Sequence, residues 1–205
     1  MSKRRSPPEN KCPECRIHKS LCFCDLVSLF DNRVRVTIIM HHREEHLTSN
    51  TAVLTARVLK NASIVKRGLP EKNFSLADLD IKSDEVPLFL FPSEEARTID
   101  DDFLVDMQNK KIHLIIPDGT WNQAKKVYRR EKELLHIPLV KLDLSGLHSS
   151  QYLLRKSPRS DGLCTFEAIA FALKKLESEE VFHHMDFVFS TMVKRFLKAR
   201  THFYD

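Results

Sequence analysis

The sequence predicts an α/β fold whose mainly parallel sheet is flanked by helices and preceded by a small cysteine-rich segment. Three features carry this prediction. Short apolar runs, several of them β-branched, recur at 34–40, 88–91, 112–116 and 138–142. Stretches with helical apolar spacing lie between them. The runs at 88–91 and 112–116 each stop at a proline and a polar turn, Pro92-Ser93-Glu94 and Pro117-Asp118-Gly119. Strands that alternate with helices in this way indicate βαβ units.

The bounds agree. A chain of 205 residues that is 42% hydrophobic can fill one α/β core with a small appendage. Four glycines and no Gly-rich phosphate loop argue against a P-loop or dinucleotide fingerprint. A formal net charge of +5 suits a polyanionic partner. No apolar stretch approaches the roughly 18 residues of a membrane span. MSKRRSPPEN is basic without an apolar stretch after it, so no signal peptide is expected and the cytoplasm is the expected compartment.

In chain order, residues 1–11 are polar, basic and proline-containing, an expected mobile arm whose Lys3, Arg4 and Arg5 are available to phosphates. Residues 12–33 form the second unit. Four of the five cysteines, Cys12, Cys15, Cys22 and Cys24, fall here in a CxxC followed by a CxC. Four thiolates at one point suit a closed tetrahedral zinc site, which has no place for a catalytic water. An iron–sulfur cluster and plain reduced thiols remain open, and His18 lies within the same loop.

The third unit is 34–205. Residues 34–40 predict a strand, followed by His41, His42, Arg43, Glu44, Glu45 and His46 in a loop. Ser49 or Asn50 then caps a helix running to about residue 61. A short strand is expected at 63–65, a loop over 68–87, a strand at 88–91 and broken helix over 94–108. Residues 112–116 read as a buried strand ended by Pro117. Either Asp118 or Thr120 can cap the helix that follows, whose inner face takes Trp121, Ala124, Val127, Tyr128, Leu134 and Leu135. Lys125, Arg129 and Lys132 make its outer stripe. A strand over 138–142 leads into a long loop with Tyr152, Arg155, Lys156 and Arg159. Thr165 is expected to cap an amphipathic helix to about 177, and 185–201 form a last helix with Lys194, Arg195, Lys198 and Arg200 exposed. There is no internal repeat. Where a strand hands over to a helix in an open α/β sheet, backbone N–H groups converge and ligands bind, so Asp118–Thr120 is the leading candidate site.

The order of these motifs resembles the DTW-domain family: four cysteines, a His-x-Arg-Glu loop with Asn50-Thr51, Phe91-Pro92-Ser93-Glu94, Asp118-Gly119-Thr120-Trp121, and Cys164-Thr165-Phe166-Glu167-Ala168. The resemblance covers about residues 12–175. It implies a tRNA-uridine aminocarboxypropyltransferase, which moves the 3-amino-3-carboxypropyl group of S-adenosylmethionine to N3 of a uridine in tRNA and releases methylthioadenosine. It also implies a fold similar to the SPOUT RNA methyltransferases, with a C-terminal trefoil knot. Two departures stand out. This chain has Met40-His41-His42-Arg43-Glu44 where members often have Gln-His-Pro-Arg-Glu, and Cys164 where serine is usual.

On that resemblance the catalytic group is Asp118, Thr120 and Trp121. Asp118 is a candidate base for the N3 proton, a candidate ligand of the donor's amino group, or a helix cap. Trp121 stacks on a base or fills the core. The donor cleft would take Phe91, Pro92, Ser93, Pro117, Gly119, Leu163, Cys164 and Thr165. His41, Arg43, Lys125, Arg129, Arg155, Lys156 and Arg159 are the RNA-binding candidates, with the last helix beside them. The rivals are a SPOUT-like methyltransferase and a non-catalytic zinc-dependent RNA-binding module. Monomer and homodimer both remain open.

Overall fold

The computed structural model describes residues 8–45, 47, 50–145, 150 and 162–201. The candidates Arg155, Lys156 and Arg159 lie outside the described residues, as do Lys3, Arg4, Arg5, His46, Ser49 and Tyr152. The knot that the resemblance implies turns on the path of 146–161, of which only Ser150 is described.

Six strands form one parallel sheet: β1 (Arg35–His41), β2 (Ala62–Arg67), β3 (Glu85–Leu90), β4 (Arg97–Thr98), β5 (Lys111–Pro117) and β6 (Leu139–Lys141). Their order is β2-β1-β5-β3-β6-β4, and every pairing is parallel. Five helices connect and cover them: α1 (Thr51–Val58), α2 (Asp101–Asp106), α3 (Trp121–Arg130), α4 (Thr165–Leu176) and α5 (Glu179–Thr201).

The period of two along each strand divides the core into two faces. Val36, Ile38, Met40, Leu88, Leu90, Leu114 and Ile116 face α1, α4 and α5, and the cysteine segment adds Ile17, Leu21 and Phe23 to the same cluster. Ile39, Phe89, Phe91 and Ile115 face the other way, onto Ala124 and Val127 of α3. Burial on both faces explains why these strands read as continuous apolar runs instead of alternating ones.

Several boundaries differ from the expectation, each for a tertiary reason. β3 begins at Glu85 because it pairs with β5 from its first residue. Pro87 is tolerated inside it. The N–H groups of Phe89 and Phe91 point toward β6, so position 87 points the same way, past the start of the short β6 ladder. α3 stops at Arg130, and a 3-10 turn at Lys132–His136 brings Leu134 back into the core while Leu135 stays exposed. The cap of α4 is Cys164, and Thr165 is the first helical residue. α5 starts at Glu179, six residues before the expected 185. Stacked Phe166 and Phe189, 5.1 Å apart, fix it antiparallel to α4.

A polar cluster is buried at the N-terminal ends of the strands. His113 is fully buried on β5, its Nε2 2.7 Å from the Thr37 hydroxyl and its Nδ1 3.3 Å from Glu85. Burial, and then the Arg35 guanidinium, lower its pKa to about 4. A histidine kept neutral in the fold binds its proton more readily when unfolded. Its contribution is therefore full above the unfolded value near 6.5 and fades as pH falls toward about 4. We expect about 2 kcal/mol of the stability at pH 7 to be lost by pH 5 through this group. Urea unfolding at both values checks it: His113→Asn should show a smaller difference between them.

Candidate active site at the end of the fifth strand

β5 lies between β1 and β3, so its C-terminal end opens where the connections leave in opposite directions. That is the crevice at which open α/β sheets take ligands. Asp118 is the first residue past the strand, and its N–H still donates to the Ile39 carbonyl at 2.9 Å.

The Asp118 side chain is only 6% exposed. One carboxylate oxygen accepts from the Thr165 hydroxyl at 2.6 Å, and the other faces the Asn50 amide at 3.4 Å. Asn50 caps α1, accepting from the N–H groups of Ala52 and Val53, and its amide also donates to the Glu44 carbonyl at 3.0 Å. The carboxylate thus sits against the N-termini of both α1 and α4, where the helix dipoles favour negative charge. Asn50 was legible as a cap. Its bond to Asp118, 68 residues away, was not.

The rest of the motif has distinct duties. Gly119 has φ +123°, and a Cβ there would lie 2.6 Å from Gln123 Oε1. Thr120 caps α3 reciprocally with Gln123, whose Oε1 accepts the Thr120 N–H at 2.6 Å. The spacing Thr120-x-x-Gln123 is a capping-box signature that the sequence did show. Gln123 also reaches Glu44 at 3.4 Å, which ties the His-x-Arg-Glu loop to α3. Trp121 is half-buried and meets Phe91 edge-on at 6.5 Å, and Phe91 stacks on Tyr128 at 5.0 Å.

The remaining candidates line the same rim. Ser93 closes a turn onto the Phe91 carbonyl, and Pro92 is exposed beside it. Leu163 and Cys164 are half-buried, and Pro117 is buried. Desolvation, and then Glu167, push the Cys164 thiol well above its ordinary pKa, so it stays neutral. Buried Glu167, absent from the candidates, accepts from Cys164 N–H at 2.9 Å and from the Ser150 hydroxyl at 2.5 Å. His41 stacks on His42 at 4.8 Å, and its Nδ1 accepts the Arg43 N–H, which leaves the proton on Nε2. Burial, and then His42, Arg67 and Arg43, lower its pKa, so at neutral pH it offers a donor rather than a charge. Arg43, Lys125 and Arg129 are exposed. Lys125 and Arg129 stand on α3, across the sheet from α1 and α4.

The four cysteines of the N-terminal segment come together. The Cys12–Cys24 and Cys15–Cys22 sulfurs are each 3.8 Å apart, and all four lie within 4.8 Å. A tetrahedral ion with metal–sulfur bonds of about 2.3 Å requires edges of about 3.8 Å. The cluster can therefore hold a single metal ion. The backbone N–H of Cys15 leads in lowering the Cys12 thiol to about 6, while burial pushes Cys15 up to about 12. Arg57, near the end of α1, lies close enough to the Cys24 sulfur for that sulfur to raise its pKa, which places the knuckle beside the helix that Asn50 caps.

We expect Asn50→Ala to cost at least about 1 kcal/mol for the lost cap, read by chemical denaturation. Gly119→Ala should cost about 1–3 kcal/mol by the same measurement, because its φ is strained for any side chain.

The comparisons with known proteins agree with this geometry. The model of the DTW domain matches residues 9–197. The tRNA-uridine aminocarboxypropyltransferase 2 of Macaca fascicularis is 32% identical over 182 residues, covering 86% of this chain and 58% of that protein. That of Drosophila melanogaster is 31% identical over 181 residues, covering 84% and 69%. The tRNA-uridine aminocarboxypropyltransferase A of Arabidopsis thaliana is 26% identical, covering 89% and 79%. The chain thus spans little more than half the length of the macaque relative. Among solved structures, the SAM-dependent rRNA:acp-transferase Tsr3 from Vulcanisaeta distributa aligns with TM-score 0.52 at 16% identity, over 82% of this chain and 80% of that one. At that identity the likeness speaks for the fold alone. With the family's domain matched over residues 9–197 and the Asp-x-Thr-Trp motif folded at the C-terminal rim of the sheet, this chain belongs to the DTW-domain family.

Proposed function

We propose that the chain transfers the 3-amino-3-carboxypropyl group of S-adenosylmethionine to N3 of a uridine in tRNA. The observation that carries this reading is the similarity, over more than four-fifths of the chain, to relatives named tRNA-uridine aminocarboxypropyltransferases. The reaction forms one N3–Cγ bond and breaks one Cγ–S bond. The bonding pair returns to sulfur, which leaves as the neutral thioether methylthioadenosine, and the N3 proton is lost. Which of the three carbons on the sulfonium reacts depends on how the donor lies, because in-line attack needs about 3–3.5 Å and the correct face.

The chain's own residues would set that pose. The loop after β3 (Phe91, Pro92, Ser93), the end of β5 and its turn (Pro117, Gly119) and the start of α4 (Leu163, Cys164, Thr165) form the donor cleft in this reading. The exposed part of Trp121 offers a stacking face for a base. Of the roles open to Asp118, its burial and its bonds to Asn50 and Thr165 favour a positioning role that sets the electrostatics of the cleft floor. As a proton acceptor it would first have to release one of those bonds. Arg43 and the Lys125–Arg129 stripe are assigned to RNA phosphates, and Arg155, Lys156 and Arg159 are retained with them.

We assign zinc to the four-cysteine site, as a structural ion. A closed thiolate tetrahedron on one ion matches the sulfur spacing better than a cluster that spreads its ligands over several irons. Residues 1–11 are then an arm, 12–33 the zinc segment and 34–205 the catalytic domain. Five cysteines without a disulfide suit a reducing compartment such as the cytoplasm.

Incubation with tRNA and labelled donor tests the chemistry. Label from the carboxyl carbon should enter tRNA; entry of methyl label instead would establish a methyltransferase. Asp118→Asn should keep the fold and lose most transfer, and normal turnover in that variant would take the residue out of the mechanism. Metal analysis should find about one zinc per chain, and Cys12→Ser should lower both metal content and stability.

A further inference from the structure

α5 is longer than the hairpin needs. α4 has 12 residues and α5 has 23, or about 18 Å and about 34 Å of helix. α4 starts at the Asp118 rim, and α5 returns beside it with Phe189 level with Phe166. The last dozen residues of α5 therefore project past the first turn of α4, on the side of the sheet where the candidate site opens. Helical rise makes that overhang about 16–18 Å.

The projecting part has two opposed faces. Met192, Val193 and Phe196 are buried against the cysteine knuckle, where Phe23 lies 6.3 Å from Phe196 and Leu21 joins the same cluster. On the opposite face, one turn apart, stand Lys194 and Lys198, both exposed. From Phe187 to Thr201 the helix carries four cations and no carboxylate. The knuckle surface beside it adds exposed Arg16 and Lys19. A helix end whose outer face carries cations and no acid is complementary to a phosphodiester backbone.

We propose that the end of α5, held in place by the metal-bound knuckle, is a strut that binds the backbone of the tRNA away from the target uridine. This rests on the tRNA substrate proposed above. It gives the four-cysteine site its duty: the ion fixes the knuckle, the knuckle covers the apolar face of the overhang, and the covered helix presents its charges rigidly. The site thereby contributes affinity for the nucleic acid and takes no part in the chemistry.

The experiment is tRNA binding by the full chain over a series of salt concentrations, without donor. Lys194→Glu/Lys198→Glu should weaken binding roughly tenfold or more and reduce the slope of log K against log salt by about 2. Lys60→Glu/Lys110→Glu, with the same charge change at the opposite rim, serves as control and should bind more tightly than the α5 pair. Metal removal should weaken binding by a similar factor and raise hydrogen exchange at 194–201. If the apo chain unfolds, the two charge pairs still decide. An α5 pair with the wild-type slope and affinity overturns the proposal, as does equal loss in both pairs, which would mark a diffuse field. Because the binding assay contains no donor, it reads the strut separately from the chemistry: a wild-type chain that binds tRNA through the α5 pair yet transfers no group once labelled donor is supplied would sink the proposed reaction and leave the strut standing.

Discussion

The Asp118 carboxylate is the constraint on which the rest of the site depends. A buried carboxylate is costly unless its charge is met by donors and dipoles. Here the compensation comes from three separate segments: the end of β5 supplies the residue, α1 supplies the Asn50 amide and α4 supplies the Thr165 hydroxyl. The same charge therefore holds two helix N-termini together at one rim, and each helix stabilises the ion that holds it. Removing the side chain would take the acceptor from the Thr165 hydroxyl and leave the Asn50 amide with the Glu44 carbonyl, so position 118 couples fold and site in a way a surface residue does not.

The motif that names the family is then a joint rather than a row of reagents. Asp118 ties the strand to two helices on one side of the sheet. Gly119 makes the turn that a Cβ would block, Thr120 starts α3, and Trp121 wedges against Phe91 on the opposite side. Four consecutive residues thus connect both faces of the sheet. Gln123 extends the joint by closing the Thr120 cap and reaching Glu44, so the His-x-Arg-Glu loop is placed by the same turn. These loops are thereby fixed relative to each other by the fold itself.

The cysteine knuckle is built into this frame. Its apolar residues belong to the cluster that covers one face of the sheet, and Arg57 of α1 lies beside Cys24. A guanidinium beside thiolates offsets their charge, as polar groups around metal sites commonly do. In the fold, then, the knuckle is a wall of the core as well as a candidate metal site. Family membership and the likeness to a solved acp-transferase come from the domain that these two parts complete together.

Much of this was written in the sequence. Continuous apolar runs fixed the central strands, because a parallel sheet covered on both faces leaves no polar alternation to confuse with a helix. The cysteine spacing fixed the knuckle, because a local chelate needs no knowledge of the remaining fold. The two cap pairs, Asp118 or Thr120 and Ser49 or Asn50, placed two helix starts to within two residues, since caps are local hydrogen bonds, and the structure chose Thr120 and Asn50. Tertiary structure decided the rest. Only the strand order places Asp118 between β1 and β3, and only the packing of α4 on α5 brings Thr165 to the carboxylate and carries the charged end of α5 past the rim. Those outcomes depend on contacts between residues dozens of positions apart, and neither hydrophobic period nor local spacing encodes such contacts.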